Sequence, residues 1–165
     1  METPICKECA WSGQLCPQCN ASLKSGEISS LDVDVSKILY KINEKHNISE
    51  AKFSKALDFG GQVVLLTKGE VGMLIGRQGK VVSALSLALG KKVRVVKFDG
   101  DVKRSIADML SPVRLLGMND VWAGGKEVLR IRVPKEERGR IYVEEDVLKD
   151  VIKSWMKKEV ELIFE

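Results

Sequence analysis

The sequence predicts an α+β protein: two tandem modules of one element order, behind a short cysteine-rich head. Three observations predict it. All four cysteines lie in the first 20 of 165 residues. Apolar spacing downstream switches between helical and strand-like periods in a fixed order. That order then recurs at an offset of 67 residues.

The first module begins with a helix. Val35, Ile38, Leu39 and Ile42 follow the i, i+3, i+4, i+7 spacing of one helix face, and Asp34 is a fitting N-cap for it. Phe53, Leu57 and Phe59 alternate as in a strand, Gly60-Gly61 supplies a tight turn, and residues 62–67 return as a second strand. A short helix around Glu70 to Ile75, the loop Gly76–Gly79, a helix over Lys80 to Leu89 and a strand over Lys92 to Phe98 complete the unit.

The second module repeats the order. Val102, Ile106, Met109 and Leu110 form a helix face that stops before Pro112. Val113 to Met118 reads as a strand and Gly124-Gly125 as the turn. Leu129, Ile131 and Val133 alternate in the returning strand. A helix carrying Val147, Leu148, Val151, Ile152 and Trp155 leads to a last strand with Val160, Leu162 and Phe164. Trp122 and Trp155 read as packing residues, and His46, at a helix end, as solvent-facing. The expected organisation is a knuckle over residues 1–22, a linker over 23–31 rich in Ser, Gly and Lys, a first module over 32–99 and a second over 100–165.

Cys6-x2-Cys9 and Cys16-x2-Cys19 are separated by six residues, with Trp11-Ser12-Gly13 where the chain must turn. Each pair can chelate one side of a tetrahedral site. Four thiolates select Zn²⁺, or iron in a rubredoxin-like site. A four-thiolate site leaves no open position, so the expected zinc is structural. A segment this short lacks a core of its own, and metal binding would supply its folding energy.

The net charge of +4 is unevenly placed. Residues 31–99 carry twelve Lys/Arg against seven Asp/Glu, whereas residues 1–30 and 100–165 have no positive excess. A polyanion would be drawn to the first module. Within it, Ile75-Gly76-Arg77-Gln78-Gly79-Lys80 joins two helices. Two glycines allow a sharp turn and close backbone approach. A helix starting at Lys80 directs N–H groups toward the loop, and Arg77 and Lys80 add charge. KH domains clamp a single-stranded RNA backbone on a loop of this GxxG form. It is not a Walker A loop, which has four residues between its glycines. Lys91, Lys92 and Arg94 make the following strand basic.

The stretch from Gly69 through Ile75-Gly76-Arg77-Gln78-Gly79-Lys80 and on through Leu89 to Val96 resembles the first KH domain of NusA-type transcription factors, above all the archaeal ones. Ile106 to Pro112 resembles the lead into that family's second KH domain. The resemblance runs from about residue 33 to the C-terminus. It implies two type II KH folds (α-β-β-α-α-β twice), RNA binding, and contact with the transcription machinery. On this reading Ile75, Gly76, Arg77, Gln78, Gly79, Lys80, Lys92 and Arg94 are the RNA contacts. The cysteine knuckle is not part of the resemblance.

The second copy departs from the pattern. At the 67-residue offset the loop positions are Val143, Glu144, Glu145 and Asp146. Both glycines and the basic residue are gone, and three carboxylates would repel phosphate. The expectation is a KH fold without an RNA loop. The function expected is single-stranded RNA binding by the first module, in an accessory factor of transcription elongation or termination, with RNA polymerase or ribosome components as partners. The alternatives are a ribosome- or RNA-processing-associated protein and an interaction adaptor built on KH folds. One histidine and no open metal position offer no catalytic group, so neither an enzyme nor a small-molecule substrate is expected. With no signal-like N-terminus and no membrane-length apolar run, a cytoplasmic location is expected.

Overall fold

A computed structural model describes all 165 residues. The chain divides into two compact units, Met1–Asp99 and Gly100–Glu165.

The head of the first unit consists of two short helices, α1 (Lys7–Ser12) and α2 (Pro17–Ser25), each closed by a glycine in the left-handed region, Gly13 and Gly26. It contains no ribbon strands. The stretch read as a linker is largely structured: α2 runs to Ser25, and the next helix, α3 (Ser30–Lys45), starts five residues later. Nor does the head hang free. Ile5, Cys9, Ala10 and Cys19 bury against Val33 and Tyr40 of α3, and Lys37 donates to the Gly13 carbonyl at 3.2 Å.

The N-cap of α3 is Ser29, not Asp34, which is exposed. Ser29 and Asp32 form a reciprocal capping box: the Ser29 hydroxyl accepts the Asp32 N–H, and Asp32 Oδ2 accepts the Ser29 N–H. Helical periodicity located the helix but not its first turn, because Ser29 to Asp32 contribute little to the apolar stripe.

β1 (Phe53–Asp58) pairs antiparallel with β2 (Gln62–Thr67), which pairs in parallel with β3 (Lys92–Lys97), giving the order β1-β2-β3. Between β2 and β3 come α4 (Val71–Ile75), a 3₁₀ turn (Arg77–Gly79) and α5 (Lys80–Leu89). Val35, Leu39 and Ile42 of α3, Val63 and Leu65 of β2, Leu74 of α4, and Val81 and Leu85 of α5 form one buried cluster. Burial of such side chains at about 1.5–3 kcal/mol each holds the helices on the sheet.

The second unit has α6 (Val102–Leu110), β4 (Gly117–Ala123), β5 (Lys126–Val133), α7 (Glu145–Met156) and β6 (Glu159–Phe164). Its sheet has the same form: β4-β5 antiparallel, β5-β6 parallel. Three expectations fail here. The first strand is 117–123 rather than 113–118, because the Gly124-Gly125 turn aligns the hairpin from its tip and carries pairing through polar Asn119 and Asp120. The counterpart of α4 is only a 3₁₀ stretch, Lys135–Arg140, with no buried residue. That segment, Lys-Glu-Glu-Arg-Gly-Arg, has no apolar side chain to hold a helix on the sheet. Trp122 does not pack; it is 76% exposed. No helix is long and apolar enough to cross a membrane.

Candidate nucleic-acid interface and metal centre

The loop geometry follows from two glycines with different constraints. Gly76 ends α4 at φ 78°, ψ 169°, a backbone region open to glycine alone. A Cβ there would lie 2.5 Å from Cγ2 of Val81. Gly79, at φ 73°, has only Val82 nearby, at 3.7 Å. Between them Gln78 takes φ 57°, uncommon for a residue with a side chain. The turn is held by Gly79 donating to the Gly76 carbonyl at 3.1 Å. Arg77, Gln78 and Lys80 are exposed.

Ile75, the residue before the loop, lines a groove of about 560 Å³ together with Lys92 and Arg94 of β3. The structure thus brings three of the sequence-selected residues onto one groove and places the loop at its border. Sequence reasoning missed Val82, Ser83 and Ser86 of α5, Gln62, and Val93 and Val95, which also line it. Val82 and Ser86 lie four apart, beside the buried Val81–Leu85 stripe, so the helical pattern contained that signal.

The groove wall on the β3 side also carries polar backbone. Phe98 donates its N–H to Thr67 at 2.8 Å. In a parallel ladder alternate residues turn both backbone groups to the same side. Val93 and Val95 therefore direct theirs away from β2. The result is an apolar floor with backbone donors and acceptors along one edge, and cationic side chains at the rim and loop.

In the head, each CxxC places its first cysteine at a helix N-cap: Cys6 for α1 and Cys16 for α2. The four Sγ atoms lie within 4.8 Å of one another, with Cys6–Cys9 at 3.2 Å and Cys6–Cys16 at 4.0 Å, and none is in a disulfide. Tetrahedral Zn–S bonds of about 2.3 Å require S···S spacings of roughly 3.8 Å, which this cluster brackets. Cys16 N–H donates to Cys9 Sγ at 3.0 Å, and Cys6 N–H and Cys19 N–H donate to Cys19 Sγ and Cys16 Sγ respectively at 3.4 Å. Burial pushes the Cys9 thiol up to about 12. The Cys19 N–H, aided by the neighbouring thiols, lowers Cys16 to about 7. Four thiol donors could hold one metal ion.

In the second unit the positions matching the GxxG loop form no glycine turn. Val143 is buried, Glu144 occupies the N-cap position without a side-chain cap bond, and Glu145 and Asp146 lie in the first turn of α7. Arg138 pairs with Glu145 at 2.8 Å. The carboxylates sit where the helix dipole favours them, but none caps by side chain.

Residues 30–98 match the NusA-like first KH domain. The matched segment contains α3, the three strands, the glycine loop and α5, and excludes the cysteine head and the second unit. The chain is 29% identical over 83 residues to "Probable transcription termination protein NusA" of Methanocaldococcus jannaschii, covering 48% of this chain and 44% of that protein. The match spans less than half of that relative's length. In fold, the chain is similar to the crystal structure of APE1850, with a TM-score of 0.56 and 22% identity, over 77% of this chain and 96% of that one. The mixed architecture, with two sheets of one topology, fits KH-type modules.

Proposed function

We propose that this protein binds single-stranded RNA through its NusA-like KH module. Unpaired bases lie in the groove between α5 and β3, and the sugar-phosphate backbone runs over Gly76–Gly79. The observation that carries this reading is the continuity of the two parts: Ile75 floors the groove and leads directly into the exposed, basic glycine turn. Arg77 and Lys80 meet phosphate, and Lys92 and Arg94 border the bases. The outward backbone of Val93 and Val95 can pair with base edges, and the apolar floor accommodates their faces.

The role is that of an accessory factor of transcription, a reading supported by the likeness to NusA proteins. The four cysteines hold structural zinc, which ties the head onto α3 and takes no part in the RNA contact. Binding of a short oligouridylate, followed by fluorescence anisotropy across salt, tests the first claim. About three phosphate contacts give a log–log slope near ~−2; a slope of zero would contradict it. Crosslinking in cells tests the second: recovery of RNA polymerase subunits is expected, and recovery of ribosomal proteins alone would reassign the partner.

A further inference from the structure

Trp122 stands open on the second unit although β5 buries its apolar residues on the same sheet face. Its partner across the hairpin is Glu127, so it shares the face that carries Leu129, Ile131 and Val133, all buried. It stands by the end of α7, beside a cavity of about 530 Å³ lined by Lys126, Lys153, Lys157 and Lys158 with Glu127 and Glu159. Lys153 is engaged by Glu159 at 2.7 Å, and Lys158 by Asp120 and Glu127 at 3.5 and 3.4 Å. Lys126 and Lys157 make no close ion pair, although Lys126 acts at longer range on Glu159.

Lys157 is placed there at a conformational cost. It closes α7 at φ 58°, ψ 34°, in the left-handed region. The residue 67 positions earlier, Gly90, closes α5 in nearly the same conformation, φ 68°, ψ 21°. The two modules thus end this helix in the same way, but the second uses a lysine where glycine is the unstrained choice. A side chain held in a disfavoured conformation at an open site points to a role for that side chain. Here it lies beside an exposed indole.

We propose that Trp122, with Lys126 and Lys157, is a second contact for single-stranded RNA, in which an unpaired base stacks on the indole and the two lysines meet the flanking phosphates. This rests on the reading of the protein as an RNA binder, but uses a surface unrelated to the glycine loop and its acidic counterpart. Aromatic stacking beside cations is the general chemistry of sequence-tolerant single-strand binding. A protein hot spot would bring further apolar groups around the indole; this cavity is lined instead by lysines, two carboxylates, Gly125 and Ser154.

The test uses the full chain and two oligouridylates, of 4 and 20 nucleotides. In a Trp11→Phe, Trp155→Phe background Trp122 is the sole indole, and the 20-mer is expected to quench its emission. Independently, in the otherwise unaltered chain, Trp122→Ala should weaken 20-mer binding by roughly fivefold or more. Lys157→Gly should weaken it severalfold while the melting temperature holds or rises, because glycine relieves the strained helix end. A merely structural lysine would not give that combination. Unquenched indole emission together with full 20-mer affinity in Trp122→Ala overturns the proposal and leaves the surface to a protein partner. The glycine-loop reading fails differently, if Arg77→Asp with Gln78→Asp leaves 4-mer binding intact. If neither RNA binds the unaltered chain, both fall.

Discussion

A Cβ on Gly76 would stand 2.5 Å from Val81 Cγ2 and 2.8 Å from the Val81 backbone nitrogen. Val81 is buried in the first unit's core. The glycine is therefore a packing requirement of the α4–α5 junction as well as a means of close approach to a ligand.

This decides how the loop should be probed. Gly76→Asp is expected to destabilise the module, by about 1–3 kcal/mol from overpacking plus backbone strain, and a loss of RNA binding would then be uninformative. Arg77→Asp with Gln78→Asp changes two exposed side chains, and Asp tolerates the left-handed conformation at position 78 better than most residues. That pair should lower affinity for a short single-stranded RNA at least tenfold while the circular dichroism spectrum and melting temperature stay unchanged. Glu144→Ala with Glu145→Ala, measured alongside, should leave affinity unchanged or slightly raised. A several-fold drop there would show that the second unit's loop contacts RNA.

The cysteine cluster should hold one metal ion per chain, measurable by elemental analysis. Removal by a chelator should loosen the head from α3, seen as faster amide exchange at Ile5 to Cys19. Apparent affinity should fall as pH is lowered. The sign follows from the thiols: at pH 8 Cys16, near 7, is mostly thiolate, while Cys9, near 12, is protonated and must release its proton to bind. Below pH 7 Cys16 is protonated too, so a further proton competes beside those of Cys9 and of Cys19, whose thiol is also raised. Metal titration calorimetry in buffers of different ionisation enthalpy counts these protons; zero release would contradict the ligand set.

Asp32 is 1% exposed and bonded on both oxygens. Oδ1 accepts the Ala56 N–H at 2.7 Å and Oδ2 the Ser29 N–H at 2.9 Å. It joins the start of α3 to the middle of β1, with Lys55 at 3.8 Å. Asp32→Ala removes both charge-assisted bonds and leaves the buried Ala56 N–H unpaired. A loss of about 2–4 kcal/mol is expected, read as a lower urea midpoint at unchanged slope. A change below ~0.5 kcal/mol would show that the carboxylate's desolvation cancels its bonds.

What the sequence determined by itself was local. Two CxxC pairs six residues apart dictate a four-thiolate cluster because each pair closes over one helix N-terminus. Gly76-x2-Gly79 between apolar helix faces dictates a tight turn, since both positions need positive φ. The two α-β-β-α-α-β orders were legible because period 3.6 and period 2 differ within six residues, although the second copy reduced its middle helix to 3₁₀. Tertiary structure decided the rest. Asp32 looks like any acid near a helix start until β1 arrives with the Ala56 N–H. Val93 and Val95 are apolar residues of a basic strand by sequence, and only the parity of one parallel ladder turns their backbone outward. Trp122 reads as a packing residue because it is a tryptophan; it stays open because it lies by the end of α7 and no neighbour in the fold covers it. Residue type sets what a side chain gains from burial, but only the ends and registers of the elements around it set whether burial is on offer.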